Sequence, residues 1–227
     1  MQGCTPFFMA APGAGLPCGL PAIIFDFDGT LIDSSRLCVA ELRETYREMN
    51  LPAPSQAILE AVNGPSHEEA AGLLGVPEEL QAEFCKIRGK YQMALLTSCQ
   101  RIYPGVKEML NTLSACADLF IASNAGQGYI DRSLAHWNIG KYFVRAKGGD
   151  PAHTKGQLVG SILKECRPLS AVMVGDRQSD ILAGKENGLY TVAACYGFGS
   201  PEEWRDADKQ AATVEELTDI CLQFCRG

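Results

Sequence analysis

Read for apolar and polar positions, the chain from Ala22 onward divides into two kinds of segment. Short runs dominated by apolar residues stop abruptly at polar residues or glycine. They occur at Ala22 to Phe27, Leu119 to Ala122, Ala171 to Val174 and Tyr190 to Ala193, with a weaker one at Tyr142 to Val144. Runs of this length without strict alternation suit strands buried on both faces of a parallel sheet. Between them, apolar residues recur at helical spacing over Gly105 to Cys116, Tyr129 to Trp137, Lys155 to Cys166 and Asp180 to Asn187. Strands alternating with helices predict an α/β fold with a doubly wound parallel sheet. Right-handed crossovers then line up the C-terminal ends of the strands, and the loops after them, along one edge.

One segment breaks the alternation. From Ser35 to Cys99 the pattern is helical throughout. Leu37, Ala40, Leu42 and Tyr46 mark one helix, Ile58 and Val62 a second, Ala70, Leu73 and Leu74 a third, and Leu80 to Leu96 a longer fourth after Pro77. Tyr103-Pro104-Gly105 punctuates the return to the α/β pattern. The expected organisation is a flexible N-terminal tail (1–20), an α/β core (21–34 and 101–227) and a helical subdomain (35–100) inserted after the first strand.

Composition narrows the function classes. With 227 residues and 46% hydrophobic content the chain can bury a substantial core. A formal net charge of -7 disfavours non-specific nucleic-acid binding, which needs a basic surface. It leaves a phosphate substrate open, because a few local cations or a metal can outweigh the global sign. No apolar run approaches the ~20 residues of a membrane span. The first twenty residues carry no Lys or Arg, as a secretory leader would. The ten cysteines are scattered without a CxxC pair, and are expected as reduced thiols of a cytoplasmic protein.

Four polar signals fall at or just after the predicted strands or helix starts. Asp26-Phe27-Asp28-Gly29-Thr30 puts two carboxylates at a strand end, where like charges repel unless a cation answers them. A carboxylate can also attack phosphorus, and a second can move the proton of the leaving oxygen. A solvated acidic turn is the other reading. Ser123-Asn124 offers hydroxyl and amide donors to a phosphate, although both are also ordinary turn or cap residues. Lys155, in a helix first turn, opposes the helix dipole and could stabilise a transferring phosphoryl group; taken alone it reads first as a surface lysine. Gly175-Asp176-Arg177-Gln178-Ser179-Asp180 brings two aspartates four apart to one strand-to-loop turn, an arrangement suited to a metal.

Together and in this order, the four motifs resemble those of the haloacid dehalogenase-like hydrolase superfamily, across Ala22 to Leu222. The segment Tyr196-Gly197-Phe198-Gly199-Ser200-Pro201 is similar to the phosphoglycolate phosphatase-like branch. The resemblance implies a Rossmann-like core with a mobile helical cap. It also implies a Mg²⁺-dependent phosphatase acting on a small phosphorylated metabolite through an aspartyl phosphate. Asp26 is then the nucleophile and Asp28 the general acid/base. Ser123, Asn124 and Lys155 hold the phosphate, and Asp26, Asp28 (through its carbonyl), Asp176 and Asp180 hold Mg²⁺. An aspartate at position 28 favours phosphoryl transfer over halide displacement. Gly156 after Lys155, and Ala125 after Asn124, depart from common patterns of the family.

A sugar-phosphate mutase resembling β-phosphoglucomutase is the alternative reading, and the expected assembly is a monomer or homodimer. Within the insertion, Gly64-Pro65-Ser66-His67 is a candidate specificity loop. Ser66 with Glu69 also reads as a capping box, the preferred reading, with His67 and Arg36 on the surface.

Overall fold

A computed structural model describes residues 19–149 and 153–226. The expected tail lies outside the described residues except for Gly19 and Leu20, as do Cys4 and Cys18. The chain opens with β1 (Ala22–Phe25) and β2 (Ile32–Asp33), then four helices: α1 (Ser35–Glu48), α2 (Gln56–Ala61), α3 (His67–Leu73) and α4 (Glu78–Cys99). It continues through β3 (Arg101–Ile102), α5 (Val106–Leu113), β4 (Asp118–Ala122), α6 (Gln127–Trp137), β5 (Phe143–Lys147) and α7 (Lys155–Cys166). It closes with β6 (Ala171–Gly175), α8 (Gln178–Glu186), β7 (Tyr190–Ala194), α9 (Pro201–Trp204), β8 (Lys209–Ala211) and α10 (Val214–Arg226).

Six strands form one parallel sheet in the order β5-β4-β1-β6-β7-β8. β1 is buried along its whole length, which explains why its sequence shows no alternation. Its side chains still alternate in direction. Ile23 and Phe25 join Leu110, Leu113 and Leu217 on one face, and Ala22 and Ile24 join Val159 and Ile162 on the other. Because β1 pairs with β4 on one side and β6 on the other, the winding reverses there, and a crevice opens beyond the strand ends. Asp26, Ser123 and Asp176 are the first residues past those three strands.

α1 to α4 pack around a hydrophobic cluster of their own, including Leu42, Tyr46, Leu59, Ala70 and Phe84. The rings of Tyr46 and Phe84 meet edge to face, 5.5 Å between centroids. The preferred reading of Ser66 holds: its hydroxyl accepts from the Glu69 amide, and the Glu69 carboxylate accepts from the Ser66 amide.

Two strand pairings escape the sequence pattern. β2 and β3 pair antiparallel for two residues each, Ile32 with Ile102 and Asp33 with Arg101, too short to display any period. β8 is a three-residue edge strand of sequence Lys-Gln-Ala whose polar character protects an open edge. α10, which the strand-and-helix reading left unassigned, buries Val214, Leu217 and Cys221 on one stripe. The one-turn α9 was likewise unassigned, and other differences are at ends: the first strand stops at Phe25, and Tyr142 belongs to a short 3₁₀ turn before β5.

Phe84 is fully buried in the insertion. Phe84→Ala is expected to destabilise the insertion by about 3–5 kcal/mol, read as a lower midpoint in chemical denaturation.

Candidate active site

The turn that starts α7 is set by a capping box. The Thr154 hydroxyl accepts from the Gln157 amide at 3.2 Å, and the Gln157 side chain accepts from the Thr154 amide at 2.8 Å. This fixes Lys155 in the first turn, buried instead of at the surface. Its Nζ lies 2.7 Å from Asp26 Oδ1 and also pairs with Asp180 Oδ1. Asp26, Asp176 and Asp180 are all buried, with carboxylate oxygens within 4.8 Å of one another. Burial, and then repulsion from Asp180, push the Asp26 carboxyl up to about 7 although Lys155 pulls it down. Asp176 is raised well above the carboxylate range by burial and then by Asp26 and Asp180. Burial opposes the charge of Lys155, yet Asp180 and Asp26 outweigh it and hold that group above the ordinary lysine value. One ammonium against three carboxylates leaves negative charge unanswered, and the donors are all hard oxygens. The set therefore fits a divalent cation such as Mg²⁺.

Asp28 does not join this trio through its carboxylate. Tyr129 donates its hydroxyl to Asp28 Oδ1 at 2.7 Å, while that hydroxyl accepts from Gln100 Nε2 at 2.8 Å. The indole of Trp137 donates to Gln100 Oε1 at 2.8 Å. An indole N–H can only donate, so it fixes the amide of Gln100, and Gln100 in turn leaves Tyr129 a proton to give to Asp28. Burial raises the Asp28 carboxyl, against the hydrogen bonds from Tyr129 and Ser34 that favour its ionised form.

A cavity of about 770 Å³ lies between this edge of the sheet and the helical insertion. The core side presents Asp26, Asp28, Ser123, Asn124 and Lys155; the insertion presents Glu41, His67 and Arg88. Arg88 Nε donates to Glu41 Oε1 at 2.8 Å in a pair that is almost wholly buried. His67 is not the surface residue expected: it is half-buried, with Nε2 3.9 Å from Glu41 Oε1. Arg36 is exposed and lies away from this cavity.

The sequence model of haloacid dehalogenase-like hydrolases matches residues 23–194. The chain belongs to that family. It is 28% identical over 207 residues to a Mycobacterium tuberculosis protein named tyrosine-protein kinase PtkA, covering 87% of this chain and 71% of that one. It is also 28% identical over 217 residues to a phosphoglycolate phosphatase of Vibrio vulnificus, covering 88% and 95% of the two chains. A solved haloacid dehalogenase-like hydrolase from Streptococcus pneumoniae has the same fold, with a TM-score of 0.81 at 24% identity over 89% of this chain and 97% of that one.

In this family member the seven residues singled out by sequence all gather at one edge of the sheet. Asp26, Asp28, Ser123, Asn124 and Lys155 line the cavity, while Asp176 and Asp180 sit fully buried beside Asp26. Sequence reasoning missed the groups that hold them. Thr30 donates to Asp176 Oδ1 at 3.1 Å, the Phe198 amide to Oδ2 at 2.8 Å, and the Trp204 indole to the Asp176 carbonyl at 2.6 Å. Gly29, at φ +84°, and Gly197 pack so close to Asp176 that a Cβ at either would overlap it. Their signal was present in Asp28-Gly29 and Tyr196-Gly197, but nothing local says what a glycine must approach. No helix among the described residues is long and apolar enough to cross a membrane.

Burial pushes the Glu41 carboxyl from 4.5 to about 7, with Arg88 opposing the rise. Between those values the folded chain retains a proton that the unfolded chain releases. Glu41's contribution is therefore fullest below about pH 4.5 and is lost as the pH rises through 7. Glu41→Gln is expected to flatten the fall in stability across this window by about 3 kcal/mol at most, measured by urea denaturation at several pH values.

Proposed function

We propose that this hydrolase is a Mg²⁺-dependent phosphatase that cleaves a small phosphate monoester through an aspartyl phosphate on Asp26. The observation that carries the reading is the division of labour between the two first-motif aspartates. Asp26 is held by the buried Lys155, and Asp28 is held separately by Tyr129, both lining one cavity. The phosphoglycolate phosphatase name of the Vibrio relative points the same way.

In this mechanism Asp26 attacks the ester phosphorus. The bond from phosphorus to the alcohol oxygen breaks as Asp28, protonated, delivers its proton to that oxygen. A water then gives a proton to the Asp28 carboxylate while its oxygen attacks the same phosphorus. The bond to Asp26 breaks, and inorganic phosphate leaves. Burial favours the protonated form of Asp28, and the Tyr129 hydroxyl stabilises the carboxylate left after the proton departs. Lys155, Ser123 and Asn124 hold the phosphoryl oxygens. Asp26, Asp176, Asp180 and the Asp28 carbonyl would hold Mg²⁺, which supplies the charge neutralisation that lets an anionic ester approach a carboxylate. The helices over the cavity act as a cap that excludes bulk water and meets the leaving group. Free thiols at all eight described cysteines support a cytoplasmic setting.

Phosphate release from a panel of small monoesters with Mg²⁺ tests this reading. Release is expected from at least one ester and should be lost with EDTA. Asp26→Asn should lower kcat by at least ~10³-fold, and Asp28→Asn by about 10²–10⁴-fold. No release from any ester would overturn the phosphatase. Transfer from ATP to a tyrosine peptide without such release would favour the activity named for the mycobacterial relative.

A further inference from the structure

The cap wall of the cavity carries polar atoms that the fold leaves without partners. Glu41 Oε2, Asn63 Oδ1 and Arg88 Nη1 are buried and make no hydrogen bond among the described residues. Their side chains come from α1, the turn after α2, and α4, and all three residues line the cavity that holds Asp26 and Asp28. Buried polar groups are almost always paired, and each one left unpaired costs about 1–3 kcal/mol. Three on one wall of one cavity, two acceptors and one donor, describe the ligand that would satisfy them.

The cations around the cavity are already paired. Arg88 is held to Glu41 at 2.8 Å, Arg177 to Glu203 at 2.8 Å, and Lys155 is engaged by Asp26 and Asp180. Among the described residues these are the Lys and Arg side chains lining the cavity, against six carboxylates: Asp26, Asp28, Glu41, Glu68, Glu69 and Glu186. His67 adds no cation, since burial and then Arg88 lower it to about 3. A leaving group carrying its own carboxylate or second phosphate would therefore find no uncommitted Lys or Arg among the described residues that line the cavity. A hydroxyl, which donates and accepts at once, suits Glu41, Asn63 and Arg88 without changing the charge.

We propose that Glu41, Asn63 and Arg88 form the leaving-group subsite and select esters of neutral, polyhydroxylated alcohols over esters whose alcohol carries a carboxylate. This rests on the phosphatase reading and adds to it the class of substrate. It separates this chain from an acidic two-carbon leaving group, despite its likeness to proteins named phosphoglycolate phosphatase.

The test compares kcat/KM at pH 8, above the value of about 7 for Glu41, for glycerol and hexose phosphates against phosphoglycolate and phosphoglycerate. The polyol esters are expected to be favoured at least tenfold. Glu41→Gln, which leaves Arg88 unanswered, should move that ratio at least tenfold towards the carboxylated esters. A wild-type preference for the carboxylated esters, or a ratio that Glu41→Gln does not move, would overturn the subsite while leaving the phosphatase standing. Calorimetric binding of the same esters to Asp26→Asn covers the case in which no ester is turned over. Tighter binding of the polyol esters would support the subsite even with the phosphatase lost. Equal or weaker binding would overturn it.

Discussion

Three carboxylates cannot share one buried point unless something answers their charge. In the described chain Lys155 does so first, and the architecture around the site follows from putting its ammonium there. The Thr154–Gln157 capping box fixes the first turn of α7. The reversal of winding at β1 brings Asp26 beside Asp176, and α8 turns Asp180 back towards both. Even so, one positive charge does not balance three negative ones. Asp26 and Asp176 stay well above the ordinary carboxylate range, and the site is left electrostatically incomplete, open to a cation and to an anion behind it. Asp28 escapes this crowding because its partners are neutral. The chain from Trp137 through Gln100 to Tyr129 ends in a hydroxyl, not a charge, so two aspartates two residues apart face unlike surroundings.

Much of this was legible in the sequence, for reasons that differ by element. β1, β4, β6 and β7 announce themselves because a strand buried on both faces must be apolar at nearly every position. The edge that carries the candidate site is readable because polar residues end those runs at Asp26, Ser123 and Asp176. The helical insertion shows through the absence of any strand pattern between Ser35 and Cys99. What the sequence hides is what depends on long-range contact. Gln100 and Tyr129 lie 29 residues apart and meet only through packing. The indole of Trp204 reaches the Asp176 carbonyl across 28 residues. Glu41 and Arg88, separated by 47, read as unremarkable positions on two helices until the fold buries them together. His67 was misplaced for the same reason, because a polar residue beginning a short helix looks solvated unless another helix covers it.

The two-residue ladder between β2 and β3 has a bearing on how such a protein changes over evolutionary time. Asp33 and Arg101 face each other across antiparallel strands, so the insertion leaves and rejoins the sheet-bearing chain at adjacent points about 5 Å apart. Everything between them is a closed excursion. Its helices can lengthen, shorten or be exchanged without altering where β1 ends or where α5 begins. A lineage can therefore rewrite what sits opposite Asp26 while inheriting the strand ends unchanged. The geometry confines such change to one segment and leaves the strand ends where they are.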